Sequence, residues 1–304
     1  MEGLVCVCHK PVLVVEVMRL LEINGDAICV DATTGMGGHT RQMLESLGPG
    51  GRVIAIDKDD AAIAIARDTI ADERAVIIRE DFANMSGIVR GLGYDGVDAI
   101  LLDLGLCMGQ IRDKERGFSF DSDYPLDMRM NRDISPSAHE VVNTFRQERL
   151  QEIILTYGEE GRYRAIARAI VAYRKDKAIN TCRELADIVA RQYRSGSRSG
   201  SHGERRRIHP ATKTFQALRV FVNDELGTLT RTLDVCPKLL RSGGRLCVIS
   251  YNSLEDRIVK TFFRQQQVAG QLQTLTKKPI TPGPLEVRDN PSSRSAKLRG
   301  GIRL

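Results

Sequence analysis

Apolar residues run almost unbroken through four short stretches of the first third of the chain: AICVDA, RVIAID, AVIIRE and VDAILLDL. Segments such as DAAIAIARDTIA, with helix-compatible patterning, lie between them. Strands alternating with helices predict a parallel sheet, because each parallel crossover needs a covering element. After Leu104 that rhythm stops. Leu150, Ile153, Ile154 and Tyr157 fall at i, i+3, i+4 and i+7, as do Ile166, Ala169, Ile170 and Tyr173, and both sets predict core-facing helix stripes. Thr181 and Glu184 form a capping-box pair ahead of Leu185, Ile188 and Val189. The following SGSRSGSHGERRR is too polar to pack. Beyond it, FQALRVFVNDELGTLTRTL predicts one long helix with Phe215, Leu218 and Val222 inward. PKLLRSGGRLCVISY then predicts a strand entered through a turn at Gly243 and Gly244. The α/β rhythm has resumed, so the expected organisation is a sheet domain built from residues 1–106 and 211–304, with an all-helical insert over 107–210.

The first strand runs into a glycine turn, ICVDATTGMGGHT, and then a helix start. Gly35, Gly37 and Gly38 allow a sharp turn and a close backbone approach to a ligand, while the helix offers unpaired N–H groups. Such a loop also serves as a plain tight turn. What adds weight is Asp57, at the end of the second strand and twenty residues after Gly37, where an acid can accept both ribose hydroxyl hydrogens. Asp31, Asp57, Asp81 and Asp103 all end or follow strands, which gathers carboxylates at the carboxyl edge of the sheet, where open α/β sheets bind ligands. Acids in turns also act as helix caps, so position alone does not assign each one.

Hydrophobic residues make up 42% of the 304 positions and charged residues 28%, the balance of a globular protein with a sizeable core. The N-terminus carries no signal-peptide or transit pattern, so a cytoplasmic protein with no membrane role is expected. Cys29 and Cys247 fall inside strands and read as buried small hydrophobes. Cys6, Cys8 and His9 cluster without a second pair to complete a metal site, so no metal is expected. A net charge of +6 is too mild to identify a partner, but its distribution is uneven. Six arginines lie between Arg191 and Arg207 against the single acid Glu204, and five bases lie from Arg288 to Arg303 against Asp289. Either run alone could be a solvated face; two together favour a polyanion.

Further blocks stand in fixed order along the chain: HKPVL, the GGH loop, ERGFSF, PLDMRM, HPATKTFQALR, SLEDRIVK and NPSSRSAKLR. In this combination the chain resembles the bacterial 16S rRNA (cytosine-N4)-methyltransferases of the MraW/RsmH type, from His9 to about Arg299. The resemblance implies a class I S-adenosylmethionine-dependent methyltransferase fold, a Rossmann-like α/β sheet with the helical insert. It implies methylation of N4 of a cytidine in the decoding centre of small-subunit rRNA, within an assembled or nearly assembled small ribosomal subunit. Its cofactor contacts fall on Gly37, Gly38, His39, Asp57, Phe82, Asp103 and Gln110, with Asp103 also the expected catalytic residue. His39 has a second reading, as a first-turn helix residue with a satisfied hydrogen bond, and Phe82 another, as core. Arg205, Arg206 and Arg207 are the expected RNA contacts.

The chain departs from the family pattern in three places. Cys107, Met108 and Gly109 precede Gln110 where the family usually has two serines or Ser-Ser-Pro; Asn252 replaces a common histidine after Tyr251; and Asn131 follows PLDMRM in place of an acid. Two alternatives therefore stay open. One is an RNA-binding relative with weak or no catalysis. The other is an NAD-dependent dehydrogenase, disfavoured because GMGGHT does not follow the G-x-G-x-x-G pattern.

Overall fold

The computed structural model describes residues 10–106, 113–194 and 209–304. These form two compact units, one from Met1–Cys107 with Leu226–Leu304, the other from Met108–Glu225. The first holds a seven-stranded sheet: β1 (Ile28–Asp31), β2 (Arg52–Asp57), β3 (Ala75–Arg79), β4 (Val97–Asp103), β5 (Leu240–Ser250), β6 (Leu272–Thr274) and β7 (Lys297–Arg303). The strand order is β3-β2-β1-β4-β5-β7-β6. β1 to β5 pair in parallel, whereas β7 runs antiparallel to both β5 and β6.

Alternate residues of the central strands enter opposite cores. Val30, Ile54, Ile100, Leu102 and Val248 pack on one face, and Cys29, Val53, Leu101, Cys247 and Ile249 on the other. Both faces are buried, which is why these strands read as continuous apolar runs rather than alternating ones. Cys29 and Cys247 are fully buried, as expected, and burial pushes the Cys29 thiol up to about 12. The chain leaves β1 toward β2 and β3, then returns to β4 on the other side of β1. That reversal opens a crevice at the carboxyl ends of β1 and β4, where Asp31 and Asp103 stand.

The second unit is helical: Ala138–Thr144, Gln147–Gly158, Tyr163–Tyr173, Cys182–Arg194 and Thr212–Val222. The predicted stripes meet in one core, Leu150, Ile153 and Ile154 with Ile166, Ile170, Leu185, Ile188 and Val189. The capping box is formed: the Glu184 N–H donates to Thr181 Oγ1 at 3.2 Å, and the Thr181 N–H to Glu184 Oε2 at 3.1 Å. The blocks ERGFSF and PLDMRM are fastened to each other. The buried Arg116 guanidinium donates to the Met130 carbonyl at 2.8 Å, and the Met128 N–H to the Arg116 carbonyl at 2.9 Å. Gly117 has φ 74°, and a Cβ there would lie 2.6 Å from the Pro125 carbonyl oxygen. Phe120 stacks on His209 with centroids 4.3 Å apart, tying ERGFSF to HPATKTF.

Three expectations are corrected. The long helix is two helices, Thr212–Val222 and Glu225–Leu239, broken at Asn223 and at Asp224, whose φ is 47°. Asn223 turns inward: its Oδ1 accepts from the Met130 N–H at 2.7 Å, and its amide donates to the Met128 carbonyl at 2.8 Å. Because Phe215, Leu218 and Val222 belong to the helical core, the second unit extends to Glu225 rather than ending at 210. Likewise Gly243 and Gly244 lie inside β5, not before it. The pairing with β4 jumps from Val97↔Leu240 to Ala99↔Arg245, so the intervening residues bulge out of the ladder.

Asn223→Ala would leave the buried Met130 N–H and Met128 carbonyl without these partners. It is expected to reduce stability by about 3 kcal/mol, measured by urea denaturation of the whole chain; a loss below about 0.5 kcal/mol would contradict the role given to Asn223.

Candidate active site

The loop after β1 is held from several directions. The Ala32 N–H donates to the Leu101 carbonyl at 2.9 Å, the Thr34 N–H to the Ile56 carbonyl at 2.9 Å, and the Asp103 N–H to Thr33 Oγ1 at 2.6 Å. Thr40 Oγ1 donates to Asp31 Oδ2 at 2.6 Å and lies 2.7 Å from Thr34 Oγ1, which therefore supplies the proton of that second contact. Asp31 is 1% exposed and braces the turn. Asp81 caps the short 3₁₀ turn Phe82–Asn84 by accepting from the Ala83 N–H at 2.9 Å. Two of the four strand-end acids thus serve the fold.

The glycines also answer to the protein. Gly37 has φ 80°, and a Cβ on it would lie 2.6 Å from Ile70 Cδ1; a Cβ on Gly38 would lie 3.0 Å from the Pro11 Cβ. The helix Gly38–Ser46 starts with no side-chain cap on its first turn.

Asp57 is the first acid with capacity to spare. Its Oδ2 accepts from the Gly35 N–H and its Oδ1 from the Asp59 N–H, both at 2.9 Å, and each oxygen retains a lone pair. Burial pushes its carboxyl up to about 6. Phe82 follows β3 and is half-buried, packed partly against the core that holds Ile54 and Ile56.

Asp103, the last residue of β4, is the second. The Tyr251 hydroxyl donates to its Oδ1 at 2.9 Å, and His39 Nδ1 lies 3.6 Å from its Oδ2. His39 Nε2 is 3.0 Å from the Val12 carbonyl, an acceptor only, so Nε2 carries a hydrogen. The Nδ1 contact with Asp103 is then attractive only with a proton in it. Burial pushes Asp103 up to about 6, with the His39 charge and the Tyr251 hydrogen bond pulling the other way.

His39, Asp57 and Asp103 are therefore gathered with the loop at one sheet edge. Gln110, with Cys107, Met108 and Gly109, lies outside the described residues, as do Arg205, Arg206, Arg207 and the cluster Cys6, Cys8 and His9. Sequence reasoning missed Tyr251 as a site residue; its only signal was a hydroxyl just past a strand that ends beside β4. It also missed Val12, the partner of His39 within the HKPVL block. Asn252, standing where the histidine was expected, caps the helix Ser253–Val268: its Oδ1 accepts from the Leu254 and Glu255 N–H groups, both at 3.0 Å.

The MraW methylase family profile matches residues 6–301. The chain belongs to this family. A curated relative from Rhodopseudomonas palustris (strain TIE-1), named Ribosomal RNA small subunit methyltransferase H, is 45% identical over 97% of this chain and 90% of its own length. A protein of the same name from Coprothermobacter proteolyticus is 46% identical, covering 96% of this chain and 94% of its own length. The mixed sheet with its antiparallel β7 is the class I methyltransferase arrangement expected from the sequence. No helix among the described residues is long and apolar enough to cross a membrane.

The raised Asp103 carboxyl predicts a pH effect of definite sign. A folded-state value near 6 against the ordinary 3.8 means that ionisation opposes folding, so stability is lost as pH rises from about 4 to about 6. Without cofactor, Asp103→Asn is expected to melt above the parent protein at pH 7.5, with the gap closing toward pH 4. Differential scanning calorimetry across that range checks this; a gap that widens toward pH 4 would contradict it.

Proposed function

We propose that this chain transfers a methyl group from S-adenosylmethionine to the exocyclic N4 of a cytidine in the decoding centre of small-subunit (16S) rRNA. The observation that carries the reading is the pair Asp57 and Asp103, held beside one glycine turn at the carboxyl edge of the sheet. Family membership supports methyl transfer, and the curated relatives' names support small-subunit rRNA as the substrate. The cytidine, its N4 position and the assembled-subunit context rest on the motif resemblance.

The donor set fits the cofactor. Asp57 has two lone pairs for ribose hydroxyls, the Phe82 ring is only half-buried, and the uncapped helix start at Gly38 and His39 suits a carboxylate. Asp103 offers a carboxyl, held at Oδ1 by the Tyr251 hydroxyl, for a cationic group. Gln110 completes the set carried over from the family. When bound, the cofactor brings a methyl group that is already electrophilic on its sulfonium, so no activated nucleophile is required.

The protein's task is then placement. The cytosine amino lone pair is delocalised into the ring, and a carboxylate accepting its hydrogens favours the attacking geometry. Asp103 is that acceptor, and it stabilises the positive charge that develops on nitrogen. The proton can leave after transfer, so a strong base is unnecessary. Arg205, Arg206 and Arg207 supply the grip on phosphates, and the base must be unstacked to be reached.

When this protein is added, small ribosomal subunits from cells lacking it are expected to gain tritium from labelled S-adenosylmethionine, with the label recovered as N4-methylated cytidine. Label on another nucleoside would overturn the cytidine assignment, and binding without transfer would favour the non-catalytic alternative. Asp103→Asn is expected to slow transfer by about 100-fold or more while changing RNA affinity less than about twofold. Replacing Arg205, Arg206 and Arg207 with alanine should instead weaken RNA binding and flatten its dependence on salt, read by filter binding at several ionic strengths. Unchanged affinity at every salt concentration would show that these arginines face only solvent.

A further inference from the structure

We propose that Tyr251 is a positioning residue for Asp103, its hydroxyl at 2.9 Å from Oδ1 fixing the carboxyl plane and keeping the group ionised at neutral pH. The inference deepens the reading of Asp103 given above and rests on it for its catalytic meaning.

Tyr251 is well placed to act as a fixed donor. It follows β5 directly, and its backbone N–H donates to Glu255 Oε2 at 2.9 Å, inside the capping box that starts the helix Ser253–Val268. Its ring is half-buried against the core that contains Cys247 and Ile249. Backbone and ring are therefore both anchored, and the hydroxyl is delivered to β4 across 148 residues of sequence.

Its proton is secure. Burial raises the phenol well above its ordinary range, and the charges facing it from other elements, Asp103, Glu255 and Glu286, act in the same direction. The hydroxyl toward Asp103 is thus a donor at any working pH. Asp103 is faced from the other side by His39, whose contact is attractive only with a proton in it, and by Asp31, whose charge opposes ionisation of Asp103. Among the described residues these are the side chains that set its charge. Of them, Tyr251 is the donor that does not depend on a shared proton. Without it the carboxyl would hold its proton to higher pH and its Oδ1 would be free to rotate.

Tyr251→Phe removes the hydroxyl and keeps the ring. The direct readout is carbon-13 NMR of cofactor-free protein labelled at the aspartate γ-carbon, with the Asp103 signal assigned by its loss in Asp103→Asn. The titration midpoint is expected to rise by about one pH unit, the size of one hydrogen bond to a charged group. Site-specific 3-fluorotyrosine at position 251, a stronger donor of the same shape, should lower the midpoint, and it serves if the phenylalanine variant folds poorly. The acid limb of the methyl-transfer profile should move with the NMR midpoint, with rate recovered as pH rises. An unchanged midpoint in both variants, or a rate loss equal at every pH, would overturn the proposal. Because the NMR arm needs neither cofactor nor RNA, it judges Tyr251 even if the wild-type protein methylates nothing.

Discussion

A carboxylate buried at the end of a parallel strand must be met by donors, and the conformation of the carboxyl edge of this sheet follows from that requirement. Asp31 takes the Thr40 hydroxyl, which fixes the first turn of the helix Gly38–Ser46 against β1. Asp57 takes the N–H groups of Gly35 and Asp59, which ties the glycine turn to the end of β2. Asp103 takes Tyr251 from β5, while its own N–H is held by Thr33. Three acids on adjacent strands thus hold the intervening loops, and Asp57 and Asp103 keep acceptor capacity beyond the bonds that anchor them. Burial raises the Asp57 and Asp103 carboxyls, so their ionisation opposes folding.

Much of this was legible along the chain because its causes are local. Continuous apolar runs mark strands buried on both faces, helical stripes mark the second core, and Thr181 with Glu184 marks a helix start. The strand-end acids were legible as a group, but which of them keep acceptor capacity beyond their bonds within the protein was not. That depends on which hydroxyls and amides the fold brings to each oxygen. Asn223 shows the same limit. Within a helical pattern a polar Asn-Asp pair reads as an exposed face, and only the return of Met128 and Met130, more than ninety residues away in sequence, makes it a break. Gly37, at φ 80°, and Gly38, where an added Cβ would press against the Pro11 ring, answer to backbone and packing demands that the loop's own sequence does not reveal.

The departures from the family pattern separate on structural grounds. Asn252 is a good helix cap, so the change from histidine leaves the start of the helix Ser253–Val268 sound and Tyr251 held in place. The ERGFSF and PLDMRM blocks are fastened through Arg116 and Gly117, and ERGFSF is tied to His209 through the Phe120 stack. Cys107, Met108 and Gly109, the remaining departures beside Asn131, lie outside the described residues.

The glycine turn with Asp57 and Asp103 is proposed as the S-adenosylmethionine site. Calorimetric titration of the whole chain with S-adenosylmethionine and, separately, with NADH tests it most directly. Saturable one-to-one binding of S-adenosylmethionine, weakened at least about tenfold by Asp57→Ala, is expected, with no binding of NADH. Binding of NADH with none of S-adenosylmethionine would contradict it.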